Sequence, residues 1–392
     1  MTDLSPLPPA ARTLQMLDRL IAFDTTSRHS NIPLIEDVAA YLRGLGLDSR
    51  LVYSSPDKAN LIVSIGPTGD NGVILSGHTD VVPVDGQAWT RPPFQLTIEA
   101  GRAYGRGTTD MKGFVAAVLA KVPDFQAAPL KRPIHIVLSH DEETGCWGVV
   151  SLLEALAGEA FRAEACFVGE PTSMQVVVAH KGKKSVRVHV TGRPCHSSLA
   201  PQGVNALEYA ARLVTFISDI GRRLAATGPR DTLYDLSHST AHVGVLRSGS
   251  VLNIVPHEAV FEFEFRTLPA DDVEALYAEV VAYARDVLEP AMRAVDPAAG
   301  IRFEIMSAIP GLDTDPDAPV VHLAKRLAER NDHAKVAYGT EAGQFASRLG
   351  APAVVVGPGA IAQAHTPDEY IEINELVRCE RFLDRLTAWC CA

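Results

Sequence analysis

Residues 72–82, GVILSGHTDVV, decide the fold class because a short apolar run ends there in His78 and Asp80. A run of this length bounded by glycine and polar residues predicts a strand that is buried on both faces. Similar runs occur at 59–66, 133–143 and 164–171. Amphipathic helical patterns lie between several of these runs. The stretch and its repeats therefore predict an α/β domain in which helices cover a buried, mixed sheet.

The pattern changes near residue 183, where KKSVRVHVTG alternates valine with basic or polar residues, as in a half-exposed strand. Strands and long amphipathic helices then follow in the order β-α-β-β-α-β, which is typical of a ferredoxin-like α+β sandwich. The first pattern returns after residue 309. We therefore expect a catalytic domain formed by 1–182 and 309–392, with an inserted domain at 183–308.

Composition and charge exclude several function classes. The chain has 392 residues, 47% hydrophobic and 21% charged, with a formal net charge of -11 from 36 basic and 47 acidic residues. An acidic chain without a basic run is not expected to bind nucleic acid or an anionic membrane. The N-terminal segment lacks the basic and apolar regions of a signal peptide, and no apolar run is long enough to span a membrane. The six cysteines form no C-x-x-C pair, so we expect reduced thiols and a cytoplasmic protein.

Carboxylates and imidazoles recur where the predicted strands end. These residues are His78, Asp80, Asp110, Glu142, Glu143, Glu170 and His365. Ligands of an open α/β sheet bind beyond the carboxyl ends of its strands, so these side chains are expected to converge. Their composition is that of a site for two divalent metal ions, which predicts a metal-dependent hydrolase.

Two cations close together need a bridging anion, and Asp110 suits that role because it lies in a glycine-flanked turn that opens a helix. Asp80, two residues beyond His78, is expected to accept the second ring N–H of that histidine and to fix its tautomer. Glu142 and Glu143 are neighbours, so one can bind metal while the other faces the attacking water as a general base.

Taken singly, each motif has a structural interpretation. A lone His-x-Asp is commonly a structural pair, and a lone Asp-Glu-Glu is commonly a solvated turn. The functional interpretation depends on their coincidence, since each follows a predicted buried strand. A metal-binding protein without catalysis would lack Glu142 or one of the ligands, and none of these residues is missing.

The motifs give the chain a specific resemblance to the M20 family of zinc-dependent peptidases and deacylases. The similar segments extend from GHTDVVP to AHTPDEYI and include GRGTTDMKG, GEPTS, AHKG, HSS and GVNALE. The resemblance covers nearly the whole chain, including the inserted domain. Within the family, the segments are most similar to the enzymes that remove the acetyl group from N2-acetyl-L-ornithine in arginine biosynthesis.

The resemblance implies a role for each motif residue. One metal would be bound by His78, Asp110 and Glu170, and the other by Asp110, Glu143 and His365. Glu142 would be the general base and acid, and Asp80 would support His78. The ions would be Zn²⁺, with Co²⁺ as an alternative. The inserted domain would form a homodimer, in which His196 would donate a hydrogen bond to the oxyanion in the partner's active site.

The resemblance also implies which residues contact an N-acyl amino acid substrate, and it leaves alternative activities within the family. Arg266 and Asn253 match positions that bind the substrate, and Lys181, Thr340 and Glu341 are further candidates, with Glu341 expected to face an ornithine-like ammonium. Gln344 stands where succinyl-diaminopimelate desuccinylases carry an arginine, which disfavours a succinylated substrate. Other N-acyl-amino-acid amidohydrolases and carboxypeptidases of the family remain alternatives.

Overall fold

The computed structural model describes residues 10–69 and 71–392, which form two compact units. The first unit comprises the described residues up to Ala179 together with Leu312–Lys335 and Thr340–Ala392. The second comprises His180–Gly311 and Val336–Gly339. The chain thus leaves the first unit after one continuous stretch and returns to it later.

The helices and strands follow one another along the chain in three groups. Up to residue 180 they are α1 (Ala11–Ile21), α2 (Ile32–Gly44), β1 (Arg50–Ser55), β2 (Lys58–Ile65), β3 (Gly72–His78), β4 (Thr97–Glu99), β5 (Arg102–Tyr104), α3 (Lys112–Ala127), β6 (Ile134–Ser139), α4 (Gly148–Gly158), β7 (Ala163–Val168) and β8 (Val177–His180). The next are β9 (Gly182–Thr191), α5 (Ala206–Thr227), β10 (Thr240–Ser248), β11 (Glu258–Thr267), α6 (Val273–Tyr283), α7 (Glu289–Val295) and β12 (Gly300–Ile309). The last are β13 (Leu312–Asp313), α8 (Pro319–Ala328), β14 (Ala334–Val336), α9 (Ala342–Gln344), β15 (Ala353–Val355), β16 (Tyr370–Glu372) and α10 (Ile373–Cys391).

A mixed nine-stranded sheet runs through the first unit. Its order is β1-β2-β6-β3-β7-β15-β8-β13, with β14 paired to β8. β3 lies between β6 and β7 and is parallel to both, whereas β2 is antiparallel to β6 and β15 is antiparallel to β8. Every residue of β3 and of β6 is buried, as the continuous apolar runs predict. The predicted mixed α/β class is confirmed.

The parallel pairing explains why the polar strand ends meet. In the register of the sheet, His78 at the end of β3 is opposite Ser139 at the end of β6. Ser76 of β3 is opposite Val168 at the end of β7. The segments that carry Glu142, Glu143 and Glu170 therefore leave the sheet beside His78, at the same edge.

A small three-stranded sheet, β4-β5-β16, was not predicted from the sequence. β5 and β16 are antiparallel, with Tyr370 opposite Tyr104. Because the chain continues from β5 toward Asp110 and reaches β16 from His365, this pairing brings the two segments together across more than 250 residues of sequence.

The second unit is a four-stranded antiparallel sheet in the order β10-β11-β9-β12, with helices packed against it. This order and the β-α-β-β-α-β sequence of elements are those of a ferredoxin-like sandwich. Asp272 caps α6 by accepting the N–H groups of Glu274 and Ala275. A π-helical turn at Ala284–Leu288 separates α6 from α7.

Among the described residues, no helix is both long enough and apolar enough to cross a bilayer.

Candidate metal centre

Five side chains in the first unit form two groups that share Asp110. The groups are His78, Asp110 and Glu170, and Asp110, Glu143 and His365, with the ligand atoms of each within 4.8 Å of one another. Asp110 Oδ1 lies 3.1 Å from His78 Nε2, and Asp110 Oδ2 lies 3.2 Å from His365 Nε2. Each oxygen of this carboxylate therefore faces a different imidazole, which is the arrangement that a bridging ligand requires.

The tautomer of His78 follows from its hydrogen bonds. His78 Nδ1 lies 2.9 Å from the backbone carbonyl oxygen of Asp80, and a carbonyl can only accept, so Nδ1 carries the proton. In the neutral ring, Nε2 then presents a lone pair toward Asp110 and Glu170. Nδ1 thus donates to the backbone oxygen of Asp80, whereas the nearest oxygen of the Asp80 carboxylate lies 3.5 Å away.

The carboxyl groups of the centre differ in pKa: hydrogen bonds from His365 and His78 lower the pKa of Asp110 despite its burial, whereas the pKa values of the three glutamates are raised. Burial raises the pKa of Glu142 to about 8, and burial together with the charge of Asp110 raises the pKa of Glu143 to about 7. Burial and Asp110 also raise the pKa of Glu170 well above its usual range. Desolvation and mutual repulsion are the physical causes. Bound cations would displace the protons that these three carboxyl groups retain.

A further observation, on a buried oxygen of Glu170, supports the binding of two divalent ions by these residues. Glu170 Oε1 is buried and has no hydrogen-bond partner among residues 10–69 and 71–392. A buried carboxylate oxygen without a partner is costly unless a cation occupies its open side. Each group supplies one imidazole, one carboxylate of its own and one shared carboxylate, a donor set that zinc accepts.

The carboxylate of Asp80 has a role that the sequence did not predict. It accepts the backbone N–H of Glu142 over 3.1 Å and that of Glu143 over 3.3 Å. It also accepts the hydroxyl of Ser27 over 2.7 Å. Asp80 is fully buried, so these bonds fix the turn that carries both glutamates.

Glu142 belongs to neither ligand group, although it follows the same strand as Glu143. The thiol of Cys146 donates to Glu142 Oε1 over 3.1 Å, and this cysteine is fully buried. The bond holds one oxygen of the glutamate and leaves the other available. Sequence reasoning missed this use of Cys146; the only signal was its spacing, four residues after Glu142 in a glycine-containing turn.

Two expected site residues, His196 and Asn253, lie on paired segments of the second unit. His196 and Ile254 form an isolated β-bridge, and Ser197 N–H donates to the backbone carbonyl of Asn253 over 3.0 Å. His196 is exposed, and its Nδ1 accepts the backbone N–H of Ser198 over 3.2 Å. The neutral ring therefore carries its proton on Nε2, which is directed away from that bond and can donate.

Arg266 and Lys181, also in the second unit, have partners within it. Arg266 Nε donates to Glu264 Oε1 over 2.9 Å on the same strand, β11. Lys181 is 1% exposed and its Nζ donates to the backbone carbonyl of His238 over 2.5 Å. Burial lowers the pKa of Lys181, and the charge of Arg266 lowers it further.

Thr340 and Glu341 were expected to contact substrate, but both are completely buried in the first unit. The two oxygens of Glu341 accept the hydroxyls of Ser76 over 2.6 Å and Ser139 over 2.7 Å. Thr340 Oγ1 accepts the backbone N–H of Ala342 over 3.1 Å. This geometry commits both side chains to internal bonds, so neither enters the substrate site that we propose below.

Comparison with known proteins adds to this geometry. Residues 74–388 match the model of peptidase family M20/M25/M40. The chain is 35% identical to an acetylornithine deacetylase of Myxococcus xanthus, over 99% of both chains. It is 33% identical to an acetylornithine deacetylase of Proteus mirabilis, over 92% of this chain and 91% of that one.

Solved structures share the fold at lower identity. An M20 family metallo-carboxypeptidase of Sulfolobus solfataricus superposes with a TM-score of 0.74 and 19% identity, over 96% of this chain and 98% of that one. A dinuclear metal-binding M20 peptidase of Bacillus subtilis superposes with a TM-score of 0.64 and 16% identity, over 96% of this chain and 97% of that one.

Proposed function

The chain belongs to peptidase family M20/M25/M40 and is a metal-dependent amidohydrolase, and from that premise we propose that it deacetylates N2-acetyl-L-ornithine. The products are L-ornithine and acetate, and the reaction is a step of arginine biosynthesis. The observation that carries the proposal is a pair of ligand groups bridged by Asp110, beside a carboxylate, Glu142, that belongs to neither. The names of relatives that are 33–35% identical over nearly the full chain support the choice of substrate.

We assign Zn²⁺ to both positions, with Co²⁺ as the ion that the same imidazole and carboxylate ligands also accept. One ion would be held by His78, Asp110 and Glu170, and the other by Asp110, Glu143 and His365. When bound, the two ions polarise the scissile carbonyl and lower the pKa of the attacking water.

Glu142 moves the proton in this proposal. Its carboxylate takes a proton from the water as the new C–O bond forms, and returns it to the amide nitrogen as the C–N bond breaks. One water is consumed, the acyl carbon leaves as acetate, and the nitrogen leaves as the α-amine of ornithine. Glu142 lies close to Glu143, His78 and Asp110 but is a ligand in neither group, so its carboxylate stays free to accept and then release a proton.

His196 is proposed to donate a hydrogen bond to the oxygen of the tetrahedral intermediate, in the active site of the partner subunit. Its exposed ring with the proton on Nε2 supports this role. Asn253, held beside it, and Arg266 are proposed to contact the substrate. Lys181 is proposed to support this region from within the second unit through its bond to the His238 carbonyl.

The homodimer is proposed to form through the second unit. β10 is one of the two edge strands of its sheet, and a groove of about 630 Å³ runs between β10 and α5. An exposed edge strand has unpaired backbone N–H and C=O groups that can pair with a strand of another chain. Leu246 on this strand is 43% exposed, and Leu252 in the following loop is fully exposed. Apolar side chains beside an unpaired edge are typical of an interface.

A substrate panel tests the proposal. Zinc-loaded protein is assayed with N2-acetyl-L-ornithine, other N-acetyl amino acids, succinyl-diaminopimelate and a peptide with a free C-terminus. We expect the highest kcat/KM with N2-acetyl-L-ornithine. A clear preference for succinyl-diaminopimelate or for the C-terminal peptide bond would overturn the assignment, and the desuccinylase or carboxypeptidase alternative would replace it.

A further inference from the structure

The side-chain amide of Gln87 has a defined orientation beside the metal centre. Its Oε1 accepts hydrogen bonds from Arg106 Nη2 over 2.5 Å and from Trp89 Nε1 over 2.9 Å. Two donors at one end of an amide identify that end as the carbonyl oxygen. The amide nitrogen must then point the other way, and Gln87 Nε2 donates to the backbone carbonyl of His365 over 3.0 Å.

A buried ion pair continues this network toward Asp110. Arg106 Nη1 donates to Glu369 Oε2 over 2.6 Å, and both side chains are 1% exposed. Glu369 Oε1 accepts the backbone N–H of Thr109 over 2.9 Å and that of Asp110 over 3.1 Å. The network therefore contacts the backbone of His365 at one end and the backbone of Asp110 at the other.

The backbone of His365 requires such support. Its φ is 62°, in the left-handed region that residues other than glycine seldom occupy. Strain of this kind persists only where the surroundings determine the conformation. The His365 side chain is 51% exposed, so packing alone holds it weakly, and the bond from Gln87 acts directly on its carbonyl.

We propose that Gln87, Arg106 and Glu369 form a positioning network that sets the metal affinity of the centre. The two ends of the network differ in effect. Glu369 orients Asp110, which both ligand groups share, whereas Gln87 orients His365, which belongs to one group only. Gln87 therefore tunes one of the two ions selectively. The inference rests on the two-ion site of the proposed function.

The experiment measures zinc binding and needs no turnover. Metal-free protein is dialysed against a graded series of zinc buffers, and bound Zn²⁺ per chain is counted. Gln87→Ala is compared with Gln126→Ala, a matched control because Gln126 Nε2 also donates to a backbone carbonyl, that of Leu45, over 3.0 Å. Loss of a bond that orients a ligand typically weakens metal binding about 10- to 100-fold.

We expect Gln87→Ala to weaken one binding step by about 10- to 100-fold and to leave the other unchanged. Gln126→Ala should bind zinc like the unaltered protein. Glu369→Gln should weaken both steps, because it disturbs the shared Asp110. Since breaking the buried Arg106–Glu369 pair can also unfold the chain, the Gln87 variant is the decisive one.

A double-mutant cycle shows which ion is affected. In a His365→Ala background the group served by Gln87 is already lost, so Gln87→Ala should have no further effect. In a His78→Ala background it should still weaken the remaining ion. Equal zinc binding by Gln87→Ala and Gln126→Ala, or an undiminished effect in the His365→Ala background, would overturn the inference. Either result leaves the substrate panel unaffected, so the failure of this inference and that of the proposed function are distinguishable.

Discussion

The carboxylate of Asp80 accepts the backbone N–H of Glu142 over 3.1 Å, and the backbone carbonyl oxygen of Asp80 lies 2.9 Å from His78 Nδ1. One buried residue therefore holds a metal ligand with its main chain and the proposed general base with its side chain. In the motif HTD, Asp80 lies two residues beyond His78, where β3 ends.

The first prediction concerns this carboxylate. Asp80→Asn leaves one oxygen to serve two N–H donors and the Ser27 hydroxyl, so the turn carrying Glu142 loses support. We expect kcat with N2-acetyl-L-ornithine to fall about 10- to 100-fold. Ser27→Ala removes a single bond to the same carboxylate and should have a much smaller effect. Equal kcat values for the Asp80 variant and the unaltered enzyme would contradict the role assigned to Asp80.

The second prediction separates a structural from a substrate-binding role for Glu341. Glu341→Ala leaves the buried hydroxyls of Ser76 and Ser139 without their acceptor, so the free energy of unfolding should fall by about 2–4 kcal/mol in urea denaturation. The exposed Glu154, which pairs with Arg348, is the control, and Glu154→Ala should cost under about 1 kcal/mol.

The kinetics of the same variant decide the question. If Glu341 held the ornithine ammonium, Glu341→Ala would raise KM for N2-acetyl-L-ornithine selectively over acetylated amino acids without a side-chain amine. We expect no such selectivity, because both oxygens of Glu341 face serine hydroxyls.

The third prediction concerns metal removal and pH. In the metal-free folded chain the pKa of Glu142 is about 8 and that of Glu143 about 7, against 4.5 for an ordinary glutamate. Between these values the folded chain retains protons that the unfolded chain has lost, so its stability falls as pH rises. His365 acts in the same direction: hydrogen bonds to Asp110 and Glu143 raise its pKa to about 10, and its stabilising charge is lost as pH rises toward that value.

Zinc replaces these protons, so it should stabilise the protein more at high pH. We expect the difference in Tm between zinc-loaded and metal-free protein to be larger at about pH 8 than at about pH 5.5. Thermal unfolding of both forms at the two pH values measures it. A difference that does not depend on pH would show that the buried carboxylates are not neutralised by the metal.

The fourth prediction tests donation of His196 across subunits. His196→Ala and Glu142→Gln each inactivate a different part of the proposed site. Mixed after dissociation and reassociation, the two variants should recover part of the activity, because one active site of each heterodimer then has an intact Glu142 and an intact partner His196. Each variant reassociated alone is the control. Mixed preparations that stay as inactive as the controls would argue against donation in trans.

The sequence predicts the parts of this molecule that depend on local pattern. The apolar runs that end at His78, Ser139 and Val168 predict three buried strands, and parallel pairing then brings their polar ends to one edge. The β-α-β-β-α-β order likewise predicts the ferredoxin-like unit, because period-2 and period-3.6 patterns are strong there.

Contacts between distant segments were not predictable in the same way. Glu369 meets the Asp110 amide across 259 residues of sequence, through a small sheet whose strands are only three residues long. Strands so short carry no hydrophobic period. The burial of Glu341 was missed for a related reason. Its two carboxylate oxygens accept the hydroxyls of Ser76 and Ser139. Each serine is a single polar residue within an apolar strand, and the sequence gives no sign of which residue it binds.

The fifth prediction is the most direct test of the central claim, that Glu142 moves the proton at a two-ion centre to which it is not a ligand. Glu142→Gln preserves the shape of the side chain but cannot accept a proton. Zinc content and kcat are measured on the same preparation, with exposed Glu154→Gln as the control. We predict two zinc ions per chain and a kcat with N2-acetyl-L-ornithine lowered by a factor of about 10² to 10⁴. A variant that keeps full activity, or one that loses a zinc ion together with its activity, would contradict the account.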